Sequence, residues 1–222
     1  MTLQFGAELA YADREISRIR NAIAHADVTA LSATPTIRES SAASRAHAYV
    51  WLAATLERVT GDSVRTTLRA ITSAAIPQLK MRTSLFALLC DPELTSIADR
   101  NRQLGWPMRV ALFDRLIQST PAALSDDVVP LDGRTLRAEH FDTLWGVFGL
   151  PGSSLPGAIH RVSLKDLATG RNNVAHGHQD PILFGKTKSA ADLFNLIKRV
   201  DEIIVHTLTA FDDYLAKAKY LR

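Results

Sequence analysis

Apolar positions recur at intervals of three and four along most of this chain, and the strict two-residue alternation of a half-buried strand is scarce. Alanine and leucine dominate, which favours helix. The pattern predicts an all-α fold. Its clearest stripe is the last one: Leu193, Leu196, Ile197, Val200, Ile203, Ile204, Leu208, Phe211, Tyr214 and Leu215 share one helical face. Ser189, followed three residues on by Asp192, resembles a capping box with aspartate in place of glutamate. Lys217, Lys219 and Arg222 stand at the other end, where cations complement the helix dipole. A stripe this long predicts bundle core and a contribution to a dimer seam.

Earlier segments read less sharply. Helices are predicted over residues 7–26 and 38–59, with Ala46, Tyr49, Val50, Ala53, Leu56 and Glu57 at helical spacing in the second. Gly61-Asp62 reads as a helix stop followed by an N-cap, with a third helix running to about residue 75. Residues 85–89 form a short apolar run of buried helix, and Asp91-Pro92-Glu93 resembles a helix start capped by Asp91. Gly105-Trp106-Pro107 reads as a turn, 108–117 as a helix, 120–135 as a surface loop and 136–148 as a helix. Residues 149–157 are a clear break. Gly170 reads as the cap or turn that closes a helix, so that Arg171 opens a short new one. No repeat and no low-complexity linker divides the chain, so a single domain over residues 1–222 is expected.

Composition narrows the function classes. At 222 residues the chain can bury a substantial core without disulfides or metals. Its single cysteine, Cys90, excludes a disulfide framework within a monomer and reads as a small core residue. Glu8, Asp13 and Arg14 stand where a secretory signal would need apolar residues, and no uncharged stretch approaches a bilayer's width. A cytoplasmic protein with no membrane association is the expectation. A net charge of +3 does not by itself announce a nucleic-acid binder. No Walker loop, dinucleotide fingerprint or Gly-x-Ser-x-Gly elbow is present, so no ATP or NAD cofactor is expected. Trp51 and Trp145 read as core anchors, Trp106 as a surface ring able to stack on a base. His47, His140, His160 and His206 read as surface or satisfied-core residues.

One short segment carries chemistry. Arg171-Asn172-Asn173-Val174-Ala175-His176-Gly177 places a permanent cation, two amides and a histidine within six residues, closed by a glycine. Histidine gives or takes a proton near neutral pH, and arginine holds phosphate through a planar, always-charged fork. On a helix Asn172 and His176 share a face, whereas Arg171 and His176 lie about 140° apart. Cleavage of RNA by its own 2′-hydroxyl needs a base, an acid and cations around the pentacoordinate phosphorus. His176 suits the base or the acid, and Arg171 suits charge stabilisation. One histidine does not easily make both transfers, whereas two copies across a twofold axis supply the pair. Arg20 to His25 repeats the six-residue form, but Ala26 and Asp27 follow it in place of glycine, and it reads as structural. His176, His178 and Asp180 hint at a metal, but their spacing does not put ligands on one face, so no metal is expected.

The run Gly170-Arg-Asn-Asn-Val-Ala-His-Gly177 resembles the motif of the HEPN superfamily, and is closest to its RiboL-PSP-HEPN and MAE-type subgroups. Residues 46–57 resemble an early helix of such domains. The resemblance implies a HEPN-like helical bundle with additional helices. Residues 77–156 do not align with it and read as a subgroup insertion that shapes the substrate cleft. It implies a metal-independent endoribonuclease, acting as a homodimer in a toxin–antitoxin, abortive-infection or antiviral defence system. RNA would be the substrate and an antitoxin or defence protein a partner, and the product would carry a 2′,3′-cyclic phosphate. It makes Arg171 and His176 the catalytic pair, Asn172 and Asn173 substrate-binding or supporting residues, and Glu57 a supporting acid. Two readings compete: a non-catalytic HEPN module that binds nucleotide or dimerises, and a helical structural or antitoxin-like protein.

Overall fold

The computed structural model describes residues 3–98, 102–117 and 119–222. Among the described residues it contains nine α-helices and no strand. They are α1 (Gly6–Thr29), α2 (Pro35–Ser73), α3 (Phe86–Leu89), α4 (Asp91–Ala98), α5 (Arg102–Leu116), α6 (Ala138–Phe148), α7 (Ala158–Ala175), α8 (Pro181–Lys186) and α9 (Ala190–Ala216).

Helix α2 is the spine. Its 39 residues extend about 58 Å, and α1, α7, α8 and α9 all pack on it. The break expected at Gly61-Asp62 does not occur. Asp62 pairs instead with Arg58 (3.5 Å) and Arg65 (2.9 Å), one turn away on either side. Gly61 costs about 1 kcal/mol relative to alanine, a penalty outweighed by its buried neighbours Val59, Val64 and Leu68. The hydroxyls on the same buried face are satisfied within the helix: Ser63 donates to the Thr60 carbonyl and Thr67 to the Ser63 carbonyl.

Two further expectations need correction for the same reason, that packing overrides a local stop signal. Residues 105–107 are not a turn but the interior of α5, Pro107 included. Gly105 is buried on the side of α5 that faces Ile97 of α4. Gly170 does not close a helix, and Arg171 does not open one, because α7 runs unbroken from Ala158 to Ala175. An added Cβ at Gly170 would stand 2.3 Å from Tyr49 Cδ1, so glycine serves here as the contact between α7 and α2.

Helix α8 was not anticipated. Asp180 caps it, accepting from the Ile182 and Leu183 amides (both 2.9 Å), with Pro181 at its first position. Gly185 lets it press against the α2 backbone: a Cβ there would lie 1.8 Å from the Ala42 carbonyl oxygen. The α9 stripe is buried along its whole length. Ser189 caps the helix as expected, accepting from the Asp192 amide (3.1 Å), but the Asp192 carboxylate accepts from the Ser189 hydroxyl (2.6 Å) rather than from its backbone N–H.

One connected apolar cluster takes in Ile19 of α1, Leu56 of α2, Leu112 of α5, Trp145 of α6, Leu167 of α7 and Phe211 of α9. Trp145 is a core anchor, stacked on His206 at 5.5 Å. Trp51 is not: it is 38% exposed, with its indole N–H donating to Glu15 (3.1 Å). Trp106 is exposed on α5, with the Arg109 guanidinium 5.0 Å from its ring centre.

Candidate active site

The last turn of α7 carries the motif. Val174 and Gly170 face the core, which turns Arg171 and Asn172 toward the opposite side. His176 caps the helix, its amide donating to the Asn172 carbonyl (3.1 Å). Gly177 takes φ +66°, in the left-handed region that glycine enters without strain, and reverses the chain. His176 is thereby left exposed at a helix end while Arg171 stays half-buried.

A chain of hydrogen bonds joins these side chains. Arg171 Nη1 donates to Asn172 Oδ1 (3.2 Å) and to His176 Nε2 (3.1 Å). The long arginine side chain thus bridges the angular gap that the spacing implied. A guanidinium only donates, so Nε2 is the lone-pair nitrogen of His176 in this contact and the ring proton resides on Nδ1. Asn172 Oδ1 also accepts from Thr135 Oγ1 (3.2 Å), a buried hydroxyl on the segment before α6.

That segment is the far wall. A cleft of about 550 Å³ is lined by Gly133, Arg134, Thr135 and Arg137 on one side and Arg171, Asn172 and His176 on the other. Among the described residues its lining contains three guanidinium groups and an imidazole but no carboxylate. Such a site attracts a phosphodiester through charge and through planar N–H forks. The central part of the chain, between α5 and α6, therefore contributes directly to the cleft.

Glu57, on α2, sits within the field of Arg171 and His140 and accepts a hydrogen bond from the Leu136 amide. Its Oε1 is buried without a hydrogen-bond partner. Burial pushes this carboxyl above its ordinary range, against the lowering effects of Arg171, the Leu136 amide and His140. It does not line the cleft. Asn173 does not line it either; its backbone carbonyl accepts from the Gln179 amide (3.1 Å) and fastens the turn after α7.

The remaining candidates are placed as follows. His178 is exposed, its ring 5.8 Å from that of His176. Asp180 is the cap of α8. Arg20 and His25 are exposed along the unbroken α1, with Arg20 in electrostatic range of Asp201. His160 is a buried residue whose Nε2 meets Glu202 (2.9 Å). His140 is held at both nitrogens: Nδ1 accepts from the Arg137 amide (3.0 Å), so Nε2–H donates to Asp132 Oδ1 (2.9 Å).

Arg134, Thr135 and Arg137 were not singled out from sequence. Their segment has no periodicity, and two arginines within four residues of a loop were the one available signal. Comparison with family models, with curated proteins and with solved structures returns no match.

Proposed function

We propose that this chain is a metal-independent endoribonuclease in which the 2′-hydroxyl of RNA attacks the adjacent phosphorus. The observation that carries this reading is the Arg171 Nη1 to His176 Nε2 contact of 3.1 Å, inside a cleft whose lining is cationic. A phosphodiester entering the cleft draws the guanidinium of Arg171 onto its oxygens. That frees the Nε2 lone pair to accept the 2′ proton. The 2′-oxygen bonds to phosphorus, the bond from phosphorus to the 5′-oxygen breaks, and a 2′,3′-cyclic phosphate remains. Arg134, Arg137 and Arg171 hold the charge that builds on the equatorial oxygens, work for which one well-aimed donor is worth about 3 kcal/mol.

The departing 5′-oxygen needs a proton. His140 does not supply it, because both its nitrogens are engaged. A second copy of His176, brought in by a homodimer with a shared cleft, meets the need and completes the acid–base pair. The resemblance of Arg171 to Gly177 to HEPN nucleases agrees with this assignment and suggests a toxin–antitoxin, abortive-infection or antiviral setting.

The test is incubation of wild type, Arg171→Ala and His176→Ala with total cellular RNA in EDTA, with end-group mapping of the fragments. Wild type yields cyclic-phosphate and 5′-hydroxyl ends, and both variants are inactive while keeping helical content and melting temperature. Full activity in either variant removes the assignment. Binding of RNA by wild type without cleavage replaces it with the non-catalytic nucleotide-binding reading.

A further inference from the structure

Beside the cleft lies a second, larger pocket of about 670 Å³, set between residues 129–137 and the first turns of α6. Arg134, Thr135 and Arg137 line both, so the two spaces adjoin across this segment. We propose that this pocket receives the nucleobase next to the scissile phosphate and prefers a base bearing an amino group. The proposal rests on the reading of the cleft as a phosphodiester site and adds a base-recognition site to it.

The lining chemistry suits a base. Val129, Pro130 and Leu131 form an apolar wall, and all three are only partly buried, so their surfaces remain available. A nucleobase is flat, with apolar faces and a polar edge, and seats against such a wall while its edge meets polar groups. Arg134 and Arg137 line both spaces, so a nucleotide lying across them keeps its phosphate within reach of these side chains while its base meets the apolar wall.

Asp132 supplies the edge recognition. Its Oδ1 accepts from His140 Nε2 (2.9 Å) and from the Arg134 amide (3.0 Å), which uses both lone pairs. Among the described residues its Oδ2 meets only the Arg134 guanidinium, at 3.6 Å, beyond hydrogen-bond distance. The side chain is 49% exposed. The His140 hydrogen bond and the Arg134 amide hold the carboxyl below its ordinary value, so it remains an anion at neutral pH. The result is a fixed carboxylate at the pocket edge, one oxygen of which is ion-paired with Arg134 but accepts no hydrogen bond among the described residues. Guanine presents an amino group with no carbonyl beside it, and that group donates to Oδ2. Uracil offers one N–H flanked by carbonyl oxygens, which a carboxylate repels. His140 gains a role by the same geometry: it is a positioning residue that fixes Asp132.

The test is calorimetric titration of the full chain with guanosine 3′-monophosphate, uridine 3′-monophosphate, guanosine, ribose 5-phosphate and inorganic phosphate. Wild type binds guanosine 3′-monophosphate at least about tenfold tighter than ribose 5-phosphate, the effect of burying one apolar face. Thr143→Trp, at an exposed wall position on α6, fills the pocket and removes that margin. Asp132→Asn keeps an oxygen for His140, replaces Oδ2 with a donor, and inverts the guanosine-to-uridine ratio. Circular dichroism melts confirm that both variants fold.

No margin over ribose 5-phosphate in wild type, or a margin that survives Thr143→Trp, overturns the base pocket. If phosphates and ribose phosphate bind without that margin, the cleft reading stands and the pocket falls. If guanosine binds and phosphate adds nothing, the pocket stands and the cleavage reading falls.

Discussion

Replacing Gly170 with alanine sets two forces against each other. In an open helix interior the change gains about 1 kcal/mol, because glycine loses more backbone freedom than alanine. Here the new methyl would stand 2.3 Å from Tyr49 Cδ1 and 2.6 Å from Cε1, whereas two carbons rest about 3.5 Å or more apart. The ring has nowhere to go. It is 2% exposed, its edge meets Phe184 at 5.2 Å, and its hydroxyl donates to Asp166 at 3.1 Å. The Lys188 ammonium also lies 5.2 Å from the ring centre. Forcing one methyl into such a contact costs about 1–3 kcal/mol, and more where the backbone must shift. Where the fixed ring makes the backbone shift, the clash exceeds the gain in propensity and the variant is destabilised by up to about 2 kcal/mol net. For a chain of this length that lowers the melting temperature by up to about 8 °C. A thermal melt followed by circular dichroism reads it directly. In a Tyr49→Ala background the clash is gone, and the same substitution becomes stabilising by up to about 1 kcal/mol. Because Arg171 is the next residue, the backbone shift that relieves the clash also lowers cleavage. A Gly170→Ala protein as stable as wild type, with no coupling to Tyr49, would refute the reasoning.

Gly185→Ala is costlier, at about 3 kcal/mol or more, since its methyl meets the Ala42 backbone carbonyl, which cannot rotate aside; a urea midpoint no lower than that of Gly170→Ala contradicts this. Glu57→Gln changes how stability depends on pH. The wild-type carboxyl is raised above 4.5 by burial, so its penalty is absent below that pH and grows as pH climbs through the folded-state value. The variant therefore matches wild type at low pH and is the more stable at neutral pH; a constant gap across the range sinks the assignment. Thr135→Val deletes the donor to Asn172, a bond worth about 1 kcal/mol. It reduces kcat roughly fivefold with little change in melting temperature, Thr135→Ser recovers it, and an unaltered kcat shows that Asn172 needs no such support.

Periodicity made the helical class legible. The α9 stripe and its Ser189 cap could be read in full, because ten apolar residues on one face leave no other packing solution. Local stop signals misled where a glycine sits inside a helix held by its packing. Gly61 and Gly170 look alike in sequence, yet both lie inside helices, and for Gly170 the contact with Tyr49 of α2 reveals why. Helix α8 escaped notice because six residues are too few to show a period. At the site, Arg171, Asn172 and His176 were readable since a single turn and a cap bring them together. Thr135 lies 37 positions from Asn172, and no pattern in one sequence announces a pairing across that distance. Glu57 was singled out only through resemblance, and its place beside Arg171 depends on how α2 crosses α7.

The far wall of the cleft is fastened by the buried side chain of Leu136 and by two polar contacts. Thr135 reaches Asn172, and the Leu136 amide reaches Glu57, while the bundle behind them is held by continuous packing along α2. Contacts so distant in the chain must await closure of a long loop, so during refolding the groove assembles after the helices have docked. A segment with one buried apolar anchor opens at lower cost than the bundle, so the expected result of hydrogen exchange is that amide protons of residues 131–137 exchange faster than those of α2. The molecule thus keeps a scaffold and a door of unequal strength. Any partner able to grip that segment would govern access to the groove without having to unfold the protein.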